Sequence, residues 1–261
     1  MVQQNISQLK KSKFALLLII LFFSFGLSQE KVKILMVGNS FTFYYNLPMT
    51  IEQFSKFKGL DWEVHQSTAS GASLKHHWKS EKGLASVQKI KNNIYTHIIF
   101  QEYSSYPLKA IDTTQKYLDL MHKMTDNKSR KFIYATWSYP NILKNNNLST
   151  PSSKAIEDKL ENIKPSLDFD ILPVGRAFDL FQLRYPDQTL FTSDNKHPNP
   201  IGCYLAACVI FSKISNQPSV GFPKRIFNKI NNEKDIYYFI VEEEMARKCQ
   251  LIADEIVFNS N

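Results

Sequence analysis

Three side chains in this 261-residue sequence have the types and the surroundings for nucleophilic catalysis. Ser40 stands in Gly38-Asn39-Ser40-Phe41, directly after an apolar run. Asp194 and His197 stand three residues apart in Ser193-Asp194-Asn195-Lys196-His197-Pro198-Asn199-Pro200. A serine hydroxyl becomes a useful nucleophile when a neighbouring base takes its proton. An imidazole is that base when a carboxylate accepts from one ring nitrogen and leaves the other free. Asp and His at this spacing in a tight turn can point the same way. Asn199 is a good N-cap and Pro200 suits the first helical position, so the turn is fixed to a helix start. Taken singly, each stretch also reads as an ordinary polar turn, and it is their combination that points to acyl chemistry.

The elements that must position these residues follow from hydrophobic patterning. Residues 32–37 are apolar apart from Lys33 and partly β-branched, as in a parallel strand covered on both faces. A serine just past the glycine that ends such a strand lies at its carboxyl end, where open α/β sheets hold ligands. Further strands are expected at 62–66, 97–100, 132–136 and 170–174. Helices are expected at 48–57, 80–91, 110–124, 152–163, 176–184 and 200–214, with a last helix within 235–258. Strands alternating with helices form βαβ units, hence a parallel sheet with helices on both faces. Residues 141–153, rich in Asn, Ser and Pro, read as a loop. Thr42 stands where a Gly-x-Ser-x-Gly elbow would need its last glycine, which argues against the α/β-hydrolase arrangement.

The chain opens with a targeting pattern. Lys10, Lys11 and Lys13 form a basic region, 14–23 is apolar, and Gly26-Leu27-Ser28 resembles a cleavage site. Residues 1–28 are therefore expected to be a signal peptide, with export to the periplasm or the medium and a mature start at Gln29. The apolar run is short for a membrane span, and no stable span is expected in the mature chain. Three of the lysines behind the net charge of +8 lie in this leader. The remaining basic residues are scattered among acidic ones, so a nucleic-acid partner has no support. Cys203, Cys208 and Cys249 show no zinc spacing; they read as buried thiols, with a bridge to Cys249 as the alternative. His65, His76, His77 and His122 lack a metal signature. Trp78, Tyr103, Trp137 and Tyr139 follow strand ends and could line a sugar-binding cleft or pack in the core.

Gly38-Asn39-Ser40-Phe41 near the mature start, together with Asp194-x-x-His197-Pro198 late in the chain, resembles the SGNH/GDSL hydrolases. The order of the two blocks and the α/β pattern between them fit that superfamily. The resemblance implies an α/β fold over residues 29–261: a three-layer αβα sandwich, flavodoxin-like, with a five-stranded parallel sheet. It also implies a Ser40, His197, Asp194 triad and an oxyanion hole from the Ser40 N–H, the Gly71 N–H and an amide side chain after the third strand. Gln101 stands where that family usually has asparagine, as in carbohydrate-esterase branches of the superfamily. Asn39 replaces the usual aspartate beside the nucleophile. The implied activity is hydrolysis of O-acetyl or other short acyl esters on a small molecule or glycan, with no metal or organic cofactor. A lipase or thioesterase with a longer acyl pocket, or a non-catalytic glycan-binding relative, are the competing expectations.

Overall fold

The computed structural model describes residues 31–139, 153–164, 167–230 and 234–259. The expected leader over 1–28 and most of the expected loop over 141–153 lie outside the described residues. Five parallel strands form the central sheet: β1 (Val32–Gly38), β2 (Trp62–Thr68), β3 (His97–Phe100), β4 (Arg130–Tyr134) and β5 (Asp170–Leu172). Their order is β2-β1-β3-β4-β5. β1 pairs Val32 with Trp62 on one side and Ile34 with His97 on the other. Ile34, Leu35, Met36 and Val37 are fully buried, as a central strand flanked by helices on both faces requires.

The helices sort into two layers by what they touch. α2 (Leu47–Phe57), α8 (Val174–Arg184), α9 (Pro200–Ser215) and α10 (Glu243–Phe258) pack together on one face. On the other lie α3 (Leu74–Trp78), α6 (Ile111–His122) and α7 (Lys154–Ile163), with the short α5 (Tyr106–Lys109) between the last two. α9 is apolar nearly all round and buried from Gly202 to Ser212, the pattern of a helix enclosed by neighbours. The fold is therefore a three-layer αβα sandwich of flavodoxin-like strand order. In this order the chain reverses direction across the sheet between β1 and β3. That switch point opens a crevice at the carboxyl ends of the two strands.

Three stretches depart from the sequence expectation. Ser80 and Lys82 adopt φ of 54° and 57°, and Gly83 a φ of 70°. These left-handed residues break the helix expected over 80–91, which is confined to α4 (Ser86–Asn92). Pro173 ends β5 early, and α8 starts at Val174. The last helix fills only 243–258 of its expected span, because Lys234–Ile240 is a strand, β7, paired antiparallel with β6 (Arg225–Ile230). This ribbon is separate from the main sheet. The three cysteines are free and buried. Among the described residues no helix is long and apolar enough to cross a membrane.

Candidate active site

The turn that carries Ser40 is built by close approach. Gly38 ends β1, and a Cβ there would collide with Thr42 Oγ1 and Gln101 Oε1. The sequence suggests conformational freedom as its role; its φ is not left-handed, and the constraint is space. Asn39 caps α1 (Ser40–Phe43) by accepting from the Phe41 N–H at 3.1 Å. Its amide also donates to the Ala72 carbonyl at 3.0 Å. An aspartate could supply the cap but not the second bond. Asn39 thus ties the Ser40 turn to the loop carrying Gly71. Behind it, buried His77 donates from Nε2 to the Gly38 carbonyl at 3.0 Å, with Nδ1 at 2.5 Å from the Ser86 hydroxyl. Burial lowers the His77 pKa to about 4, so it stays neutral and keeps this bond around neutral pH.

Asp194 and His197 sit in a loop closed by a bridge between Phe191 and Pro198. Asn195 takes φ 53°, a conformation that asparagine tolerates better than most residues. The Asp194 Oδ1 accepts from the N–H groups of Lys196 and His197, both at 2.9 Å, and from the Thr192 hydroxyl at 2.8 Å. Its Oδ2 lies 2.5 Å from His197 Nδ1. Burial alone would push this carboxyl upward, but the bonds from His197, Thr192 and Lys196 outweigh it and hold it well below the usual carboxylate range. With the proton on Nδ1, the free Nε2 faces the Ser40 hydroxyl at 2.8 Å. The loop is held to the sheet by Trp137, whose indole N–H donates to the Lys196 carbonyl at 3.0 Å. Tyr44 stacks on the imidazole, with ring centroids 4.4 Å apart and planes 9° from parallel.

A cleft of about 110 Å³ opens over these groups, lined by Ser40, Gly71, Tyr103, Ser104, Lys196 and His197 among others. The backbone N–H groups of Ser40 and Gly71 have no hydrogen-bond partner among the described residues. Gly71 has φ 60° with nothing within 4 Å of the site of a Cβ. Glycine is required there by conformation, not by crowding.

Gln101 does not join them. Its side chain is fully buried. Its Oε1 accepts from the Asn39 N–H at 2.8 Å and from the Thr42 hydroxyl at 3.1 Å, and its amide donates to the Glu102 carbonyl. The expectation that this amide faces the oxyanion is corrected: its oxygen holds the Ser40 turn from behind. Glu102, to which the sequence assigned no role, accepts at Oε1 from the N–H groups of Leu74 (3.0 Å) and Tyr103 (2.7 Å). It joins the loop after Gly71 to the cleft wall. Burial raises its pKa to about 7, against the bonds from Tyr103 and Leu74.

Of the aromatics left open by the sequence, Tyr103 lines the cleft. Trp137 is core, stacked between Phe41 and Phe178 at 4.5 and 4.2 Å. Tyr44, Lys196 and His77 were not singled out as contributors to the site. Adjacency to the Asp-His block was the only signal available for Lys196, and none was available for the other two. Among the described residues no cluster of His, Cys, Asp or Glu could hold a metal ion.

Solved structures share this architecture. A candidate SGNH hydrolase from Slackia heliotrinireducens aligns over 71% of this chain and all of its own, with TM-score 0.57 and 21% identity. The chain has the SGNH/GDSL hydrolase fold. A DUF4886 family protein from Bacteroides uniformis aligns over 89% of this chain and 97% of its own, with TM-score 0.70 and 16% identity. An acetyl xylan esterase aligns over 69% and 98%, with TM-score 0.56 and 13% identity. No protein-family model matches the sequence, and no curated protein sequence matches it either. Within the SGNH/GDSL fold, the crevice at the β1/β3 switch point is where Ser40 and the Gly71 loop meet.

Proposed function

We propose that the chain is an exported serine ester hydrolase that removes O-acetyl or other short acyl groups from carbohydrates. The observation that carries the reading is the continuous chain of contacts from Asp194 through His197 to Ser40. His197 Nε2 takes the Ser40 proton as Oγ attacks the ester carbonyl, and Asp194 stabilises the imidazolium that forms. The N–H groups of Ser40 and Gly71 receive the tetrahedral oxyanion, each donor contributing about 3 kcal/mol to lowering the barrier. His197 then gives its proton to the leaving alcohol. Water attacks the acyl-enzyme with His197 again as base.

The small cleft, walled by polar Ser70 and Ser104 beside Tyr103, suits a short acyl group better than a lipid chain. The shared fold with an acetyl xylan esterase is consistent with a sugar ester. The leader motif over 1–28 is the basis for export, and intact mass of protein secreted by a bacterial host should give a start near Gln29. The function is tested with a fluorophosphonate probe followed by peptide mass spectrometry. Ser40 is the expected site of labelling, and Ser40→Ala should abolish both labelling and turnover of aryl acetates with the thermal midpoint nearly unchanged. Turnover near wild type in that variant would overturn the reading.

A further inference from the structure

The cleft contains a cation that the triad mechanism does not use. The Lys196 ammonium lies 5.3 Å from the ring centroid of Tyr139 and 5.9 Å from those of Phe41 and Tyr103. All three distances fall within the range of cation–π attraction. Its backbone is fixed at both polar atoms, by Trp137 at the carbonyl and by Asp194 at the N–H. We propose that Lys196 recognises an anionic group on the alcohol portion of the substrate, so that the preferred ester is one of an acidic compound such as a carboxylate-bearing sugar. The proposal rests on the ester-hydrolase reading and narrows its substrate class.

Three observations lead there. First, aromatic faces hold an ammonium in place but leave its charge uncancelled. Among the described residues no carboxylate forms an ion pair with Lys196. The carboxylate nearest in sequence, Asp194, already accepts four hydrogen bonds. The whole stretch from Asn127 to Ile156, which runs through Tyr139, contains no aspartate or glutamate. Second, the cation is in the cleft itself, which Ser40, His197 and Lys196 line together. Third, its side of the cleft is defined. His197 must hand its proton to the leaving oxygen, so the alcohol portion lies against the imidazole. The Lys196 ammonium shares the Phe41 ring with that imidazole, at 5.9 and 5.6 Å. Tyr103, which also lines the cleft, lies beside the same ammonium.

The test compares two acetyl esters, 4-acetoxybenzoate and 4-acetoxybenzamide, which present a carboxylate or a neutral amide at the same position. Wild type should favour the benzoate in kcat/KM by about tenfold at low salt, the worth of one charge-assisted contact. Most of the preference should lie in KM. Lys196→Met should bring the ratio close to one, while Lys196→Arg should keep most of it. In 1 M NaCl, where the screening length is about 3 Å, the wild-type preference should shrink. An equal ratio in wild type and Lys196→Met, with both proteins folded by circular dichroism, overturns the anion proposal alone. If neither ester is hydrolysed and Ser40 resists the fluorophosphonate, the hydrolase reading falls and this proposal with it.

Discussion

Glu102 makes the stability of the protein depend on pH in a direction opposite to that of most carboxylates. It is 5% exposed. One oxygen accepts two backbone N–H groups, and the other, Oε2, has no hydrogen-bond partner. Thr114 faces the same carboxyl, and its hydroxyl is also without a partner. Burial lifts the pKa from 4.5 to about 7, so the folded state holds the proton more tightly than the unfolded chain. Stability from this group is complete below the unfolded value and is lost as pH rises towards 7. At about 1.36 kcal/mol per pH unit for one proton, that interval amounts to about 3 kcal/mol. Glu102→Gln keeps an oxygen for the Leu74 and Tyr103 N–H groups and cannot ionise. Urea unfolding of wild type and Glu102→Gln should be followed from pH 4 to pH 8 by circular dichroism. The stability difference between them should move by about 3 kcal/mol in favour of the variant as pH rises. Parallel curves for the two proteins would refute the argument, because they would mean that Glu102 ionises alike in the folded and unfolded chains.

Three further substitutions probe the architecture around Ser40. Gln101→Leu leaves the buried Asn39 N–H without an acceptor and should cost about 1–3 kcal/mol in urea unfolding; a fall in kcat with no loss of stability would restore an oxyanion role for its amide. Gly38→Ala drives a methyl into Thr42 and Gln101 and should cost about 1–3 kcal/mol through overpacking, read as a lower thermal midpoint. Gly71→Ala meets no atom but must hold φ 60°, at about 1–2 kcal/mol. On the proposed function its kcat should fall more than its stability, since Gly71 lines the cleft and its N–H has no partner among the described residues.

The sheet and the Asp-His block were legible because each is written locally. Residues 34–37 form an unbroken apolar run, and Asn199-Pro200 marks a helix start in two letters. The ribbon of β6 and β7 was not. Lys234–Ile240 is apolar over five consecutive positions, and periodicity alone does not separate a strand from a helix in such a run. Gln101 was placed at the right strand end, yet sequence gives no direction for a side chain. Its burial follows from Gly38, whose missing Cβ leaves the room that Gln101 occupies. Asn39 looked like a departure from the aspartate of the SGNH pattern, and the structure gives that exchange a purpose in the bond to Ala72. Lys196 carried no signal beyond its place in the Asp-His block, since a lysine in a turn reads as solvated until three rings are seen around it.

Ser40 and His197 are 157 positions apart, and between them the chain must lay down four strands in a non-sequential order. Closing so long a loop is slow, because its entropy is lost before the contacts that repay it are made. A chain ending before residue 197 can contain every strand of the main sheet and still lack the proposed base. On the proposed function, hydrolytic activity is therefore a clock for the last stage of refolding: far-ultraviolet ellipticity should recover first, and turnover only when the loop held by Trp137 docks on the finished sheet.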